Sequence, residues 1–133
     1  MGRTLLAKGL GASPGTATGA IVFRSEDAVA MAAKGTSVIL VRIETTSEDV
    51  PGMRAAAGIV TTRGGITGDA AIVARSLGKP CIASCPPMRV DYAKDCLTVW
   101  RDSTDGDGDA DIVLQRGAIL TIDGATGEIW TDA

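Results

Sequence analysis

The run Ser37-Val38-Ile39-Leu40-Val41-Arg42 is apolar at every inner position and is of strand length rather than helix length. Successive side chains of a strand point to opposite faces of its sheet, so such a run has to be covered on both sides. It therefore predicts a central strand in a layered α/β fold. The segments around it alternate. Ala17 to Arg24 has strand character, and Ser25-Glu26-Asp27 opens a short alanine-rich helix to about Ala33, with Ser25 as N-cap and acids favouring the macrodipole. Lys34-Gly35 stops it. Thr45-Thr46-Ser47-Glu48-Asp49 is an N-cap cluster that leads a helix to about Ala57, distorted early by Pro51-Gly52. Gly58 to Thr62 reads as a strand, Thr67 to Leu77 as a helix stopped by Gly78-Lys79-Pro80, and Cys81 to Ser84 as a third buried strand. This order predicts a three-strand parallel core with right-handed crossovers.

The flanks read differently. Gly9-Leu10-Gly11-Ala12-Ser13-Pro14-Gly15 has the composition of a turn. From Cys85 onward the pattern is β-rich: Arg89 to Tyr92, Leu97 to Arg101, Ala118 to Asp123 and Glu128 to Thr131 are short strands, the last two joined by the hairpin turn Asp123-Gly124-Ala125-Thr126-Gly127. Asp102 to Asp111 is acidic, with Asp105, Asp107 and Asp109 spaced by two. Counted from Asp105, Ala110 stands where a calcium loop needs Gly and Arg116 where it needs a bidentate Glu, so the stretch reads as a solvated hairpin loop, with a weak cation site as the alternative. A chain of 133 residues is expected to form one domain over 1–133. Aromatic residues make up only 3%, so the core must be aliphatic.

Chemistry concentrates in Thr61 to Arg75, where a strand passes through Gly64-Gly65 into an alanine-rich helix. The first turn of a helix has N–H groups without intrahelical acceptors, so Gly64, Gly65, Thr67 and Gly68 form a candidate anion or phosphate cradle. Arg63 and Arg75 either complement that anion or are solvated surface residues, and Thr67 is either a helix N-cap or a group orienting position 69. Asp69 sits at the helix opening. As a capping acid it gains roughly 0.3–1 kcal/mol from the dipole. The chain has no histidine at all, which removes the commonest general base. Cys81, Cys85 and Cys96 follow no C-x-x-C spacing and predict no metal site; Cys81 is expected to be strand packing. Net charge is −3 with no basic run, so neither nucleic acid nor an anionic membrane is an expected partner. There is no signal peptide pattern and no apolar run of membrane-spanning length, and a cytoplasmic location is expected.

A resemblance carried by many residues extends this reading. The stretch Gly9 to Gly15 with Thr18-Gly19, then Val41-Arg42-Ile43-Glu44-Thr45, Glu48-Asp49, Gly52-Met53 and Ala57-Gly58-Ile59 resemble the mobile, phosphohistidine-carrying domain of phosphoenolpyruvate-utilising enzymes. Gly64-Gly65-Ile66-Thr67, Ala70 to Arg75, Gly78-Lys79, Asp123-Gly124 and Thr126-Gly127-Glu128 continue the match, which is nearest to the pyruvate phosphate dikinase group. The resemblance implies a swivelling β/β/α domain with a short parallel core sheet, flanking helices and a β-rich C-terminal half. It also implies phosphotransfer, with a Gly-Gly-x-Thr-Ser-His-Ala-Ala pattern carrying the phosphoryl group from an ATP-grasp nucleotide-binding domain to a pyruvate-binding barrel. Here Gly68-Asp69 stands in place of the Ser-His pair.

Two functions follow as expectations. In one, the chain is a stand-alone or excised mobile domain that cannot hold phosphohistidine and acts as a docking, regulatory or vestigial module, with Asp69 a fixed negative charge in the cradle; the isolated chain is then not an enzyme. In the other, Asp69 accepts a phosphoryl group with metal assistance, because a carboxylate repels the incoming phosphate unless a cation neutralises both. Neither needs a cofactor bound to this domain alone. ATP and Mg²⁺ would enter only through the nucleotide-binding and barrel partners, in cis or in trans.

Overall fold

A computed structural model of the protein describes residues 4–45, 47–63, 69–85, 88–99 and 112–131. In chain order the strands and helices are β1 (Thr4–Lys8), β2 (Leu10–Ser13), β3 (Thr16–Val22), α1 (Ser25–Ala33), β4 (Val38–Arg42), α2 (Val50–Ala55), β5 (Gly58–Thr61), α3 (Asp69–Leu77) and β6 (Cys81–Ala83). They continue with β7 (Met88–Asp91), β8 (Cys96–Val99), β9 (Ile112–Gln115), β10 (Ile119–Asp123) and β11 (Glu128–Thr131), and a single 3-10 turn, Ser47–Asp49, precedes α2.

The apolar run that opened the sequence reading is β4, and it is central. An eight-stranded sheet has the order β1-β11-β10-β3-β4-β5-β6-β2, and β7-β8-β9 form a separate three-stranded sheet. Strands β3, β4, β5 and β6 run parallel, with Ile21 opposite Ile39, Leu40 opposite Ile59 and Val60 opposite Ile82. The alternation of side chains splits β4 between two cores. Ile39 and Val41 join Ile21, Val60 and Ile82 in a core that includes Met88, Val90, Leu97 and Val99 of the small sheet. Val38 and Leu40 join Val22 and Ile59 in a second core with Ala28 of α1, Met53 of α2, and Ala71 and Ala74 of α3. Small sheet and helices therefore cover opposite faces of the large sheet, giving the expected β/β/α layering.

Several local readings change. The parallel core has four strands, because β3 pairs parallel with β4 rather than standing outside the alternation. Gly9 to Gly15 is not one turn: Leu10–Ser13 is an edge strand, antiparallel to β6. Its glycines serve close packing. A Cβ on Gly11 would come within 2.5 Å of the Gly124 carbonyl oxygen, so the β10–β11 hairpin turn lies directly on β2. That hairpin turn falls where expected, but its strands extend the large sheet, with β10 antiparallel to β3. β1 and β9 were not among the expected strands.

The helix starts also shift. Arg24, not Ser25, occupies the N-cap position of α1. Ser25 Oγ instead accepts the N–H of Gly52 at 2.8 Å, crossing from α1 to α2. The helix expected over 45–57 is the 3-10 turn followed by the six residues of α2, since the proline lies at its first turn and its chain leaves helical geometry at Ala56 (ψ 152°). Lys79 follows the stop of α3, and its Nζ donates to the Ala56 carbonyl, so the residue read only as a helix stop also closes the C-terminus of α2.

Candidate functional site

The glycine-rich stretch leaves the sheet at the C-terminal end of β5, the side on which open parallel α/β sheets bind ligands. Its approach is fixed by the neighbouring strand. Thr61 lies opposite Arg42, the Thr62 N–H donates to the Arg42 carbonyl at 3.1 Å, and the Arg63 N–H donates to the Ile43 carbonyl at 3.1 Å. The buried Thr61 hydroxyl turns back to donate to the Arg63 carbonyl at 2.9 Å. Gly64, Gly65, Thr67 and Gly68, with Ile66, lie outside the described residues. On the far side, Asp69 is the first residue of α3, whose nine residues carry a dipole with its positive end toward the stretch. Ala70, Ala71 and Ala74 are buried against the large sheet, while Ile72 is 52% exposed.

Arg63 and Asp69 thus bracket the candidate cradle, and Arg63 is exposed. Arg75 is placed elsewhere. It stands in the last turn of α3, about 9 Å along the axis from Asp69 by the helical rise, and its Nη1 donates to the Ala12 carbonyl of β2 at 2.8 Å. Its charge also reaches Cys81. That thiol is buried in β6, as expected for strand packing, and burial pushes it up to about 12 with the Arg75 guanidinium pulling partly the other way. Burial likewise raises Cys85 to about 12. Among the described residues no group of three or more His, Cys, Asp or Glu is placed to hold a metal ion, and the acidic stretch 102–111 lies outside them. No helix among them is long and apolar enough to cross a membrane.

A polar cluster lies beside the cradle's approach; of its members, the sequence reading included Arg42, Ile43 and Asp49 in the resemblance but did not join them to Tyr92 or Arg24. Arg42 ends the apolar run of β4, and its Nη1 donates to the Phe23 carbonyl at 2.6 Å while its Nε lies 3.4 Å from Asp49 Oδ2. The guanidinium also sits over the Tyr92 ring, 4.7 Å from its centroid. The Tyr92 hydroxyl accepts the N–H of Ile43 at 2.8 Å. Arg24, at the N-cap of α1, donates from Nη2 to the Tyr92 carbonyl at 2.9 Å. A charged residue closing a fully apolar strand was the available signal for Arg42; its partners Phe23 and Tyr92 come from segments distant in sequence. Asp49 read as one acid of a cap cluster.

Comparisons with known proteins agree with this architecture. The family described as "PEP-utilising enzyme, mobile domain" matches residues 35–127. Pyruvate, phosphate dikinase of Rhizobium meliloti (strain 1021) is 46% identical over 127 residues, which are 96% of this chain and 13% of that protein. Pyruvate, phosphate dikinase 2 of Oryza sativa subsp. japonica is 51% identical over 128 residues, again 96% of this chain and 13% of the relative. The dikinase of Entamoeba histolytica is 46% identical over 125 residues, 94% of this chain and 13% of its own. The chain spans about an eighth of the length of these curated relatives.

Proposed function

The chain belongs to the family of mobile domains of phosphoenolpyruvate-utilising enzymes, and from that membership we propose that it serves a pyruvate phosphate dikinase-like enzyme as a docking domain that carries no phosphohistidine. One observation carries the reading: the sequence contains no histidine, so no phosphoramidate on an imidazole can form anywhere in the chain. Asp69 takes the place that the resemblance gives to the carrier. Its carboxylate supplies a fixed negative charge at the opening of α3, where the family would hold phosphate, and the backbone N–H groups of Gly64, Gly65, Thr67 and Gly68 supply the cradle. Arg63 and Ile72, both exposed, flank it as the charged and apolar parts of a contact surface.

The partners in this reading are an ATP-grasp nucleotide-binding domain and a phosphoenolpyruvate- or pyruvate-binding barrel, in cis or in trans. ATP and Mg²⁺ enter only with them. The setting is cytoplasmic.

Intact-mass measurement after incubation with a dikinase nucleotide-binding domain, ATP and Mg²⁺ tests the proposal. No phosphoryl adduct is expected. A hydroxylamine-labile adduct on Asp69 would replace the docking reading by aspartyl phosphotransfer. The double variant Gly68→Ser/Asp69→His should gain an acid-labile adduct under the same conditions. If it does not, the docking surface is not retained.

A further inference from the structure

The cradle's approach is held from the small sheet, and the holding side chain is the chain's one tyrosine. Thr62 and Arg63 hang by their N–H groups from the carbonyls of Arg42 and Ile43. Those two residues are in turn gripped from their other side. The Tyr92 hydroxyl takes the Ile43 N–H, and the Tyr92 ring faces the Arg42 guanidinium. A single side chain therefore fixes both residues from which the last described step before Gly64 is suspended.

Tyr92 is itself firmly presented. It begins the turn that joins β7 to β8, which Asp91 Oδ1 closes by accepting the N–H groups of Ala93 and Lys94 at 3.0 and 3.1 Å. Asp95, at the far end of that turn, has φ +51°, and its carbonyl accepts the Arg116 N–H at 3.1 Å. Arg24 bonds the Tyr92 carbonyl and lies 3.7 Å from Asp95 Oδ1. The turn is tied at both ends to the large-sheet side of the molecule before it offers its hydroxyl.

From this geometry we infer that Tyr92 is a positioning residue for Thr62 and Arg63, the last described residues before Gly64, setting through Ile43 and Arg42 where they leave the sheet. The turn of the small sheet then does more than cover a core: it holds the segment that leads from β5 toward Gly64. Its consequence for docking rests on the proposed function, but the positioning itself does not.

Amide hydrogen exchange on the intact chain tests the positioning directly. Tyr92→Phe keeps the ring over Arg42 and removes only the hydroxyl acceptor. Exchange at Ile43, Thr62 and Arg63 should rise by about tenfold, while β3 and β6 keep wild-type rates. Thr18→Val, which deletes the 2.9 Å side-chain bond to Thr121 elsewhere in the large sheet, should leave residues 62 and 63 unchanged. Arg24→Ala should accelerate the same three amides, and combining it with Tyr92→Phe should add less than the sum of the two. Unchanged exchange at residues 62 and 63 in Tyr92→Phe, or an equal rise across β3 and β6, overturns the inference. In the Gly68→Ser/Asp69→His background, Tyr92→Phe should also slow phosphorylation by the nucleotide-binding partner. If that background is never phosphorylated, the docking reading fails and the exchange data still decide the role of Tyr92.

Discussion

Cys81 and Cys85 make the folded state sensitive to alkaline pH. Both thiols are pushed from 9.0 to about 12 by burial, so between those values the folded chain holds protons that the unfolded chain releases. Their stabilising effect is fully present below about pH 9 and is lost as pH rises toward 12, each thiol removing up to about 1.4 kcal/mol per pH unit. Urea midpoints should therefore fall steeply from about pH 9 upward, and Cys81→Ala/Cys85→Ala should flatten that fall. A midpoint curve of the same slope in the double variant would contradict this assignment. The burial of Cys81 was legible, since a cysteine inside an apolar strand next to no histidine has little else to do. Ser25 was not legible in the same way. Serine ahead of two acids is the local pattern of an N-cap, yet its hydroxyl is used by Gly52, far along the chain, and no local pattern encodes that contact.

The crossing of α1 and α2 shows how one position sets the distance between elements. A Cβ on Gly52 would stand 2.4 Å from Ser25 Oγ and 2.5 Å from Ser25 Cα, so backbone as well as side chain would have to move. Gly52→Ala is expected to destabilise the fold by about 1–3 kcal/mol, read as a lower urea midpoint at an unchanged slope. A neutral result would mean that the two helices separate freely. At this scale β4, β5 and β6 were readable as the parallel core because each is a short apolar run next to a helix start or stop, whereas β3, with Thr16, Thr18 and Gly19, was not placed in it. β2 was missed for the opposite reason. Gly11, between Gly9 and Gly15, suggests a turn, whereas it is there to let the Gly124 and Ala125 carbonyls lie against the strand. The glycines marked a candidate cradle in the sequence, but residues 64–68 lie outside the described residues; the resemblance drew in Arg42 and Asp49, which the structure places beside its approach. What neither supplied was Tyr92, whose bond to Ile43 joins two sheets across 49 positions of sequence.

At the scale of the whole molecule, β1 and β11 lie side by side, with Thr4 directly opposite Thr131. Antiparallel partners have Cα atoms about 4.5–5.5 Å apart, so a short flexible link can join the two described ends. A circular permutant closed there and opened at the exposed Lys34-Gly35 turn is expected to keep both cores, with its amide NMR spectrum changed only near the old and new ends. Collapse of the spectrum would show that the strand order depends on where the chain starts. The same pairing decides how the fold responds to tension. Force applied through the two ends loads the Thr4–Thr131 pair first and then Leu5–Trp130, one rung after another, instead of stressing the whole ladder together. The molecule is mechanically soft in that direction: it peels open like a zipper at its outer edge while the parallel centre of the sheet carries no load.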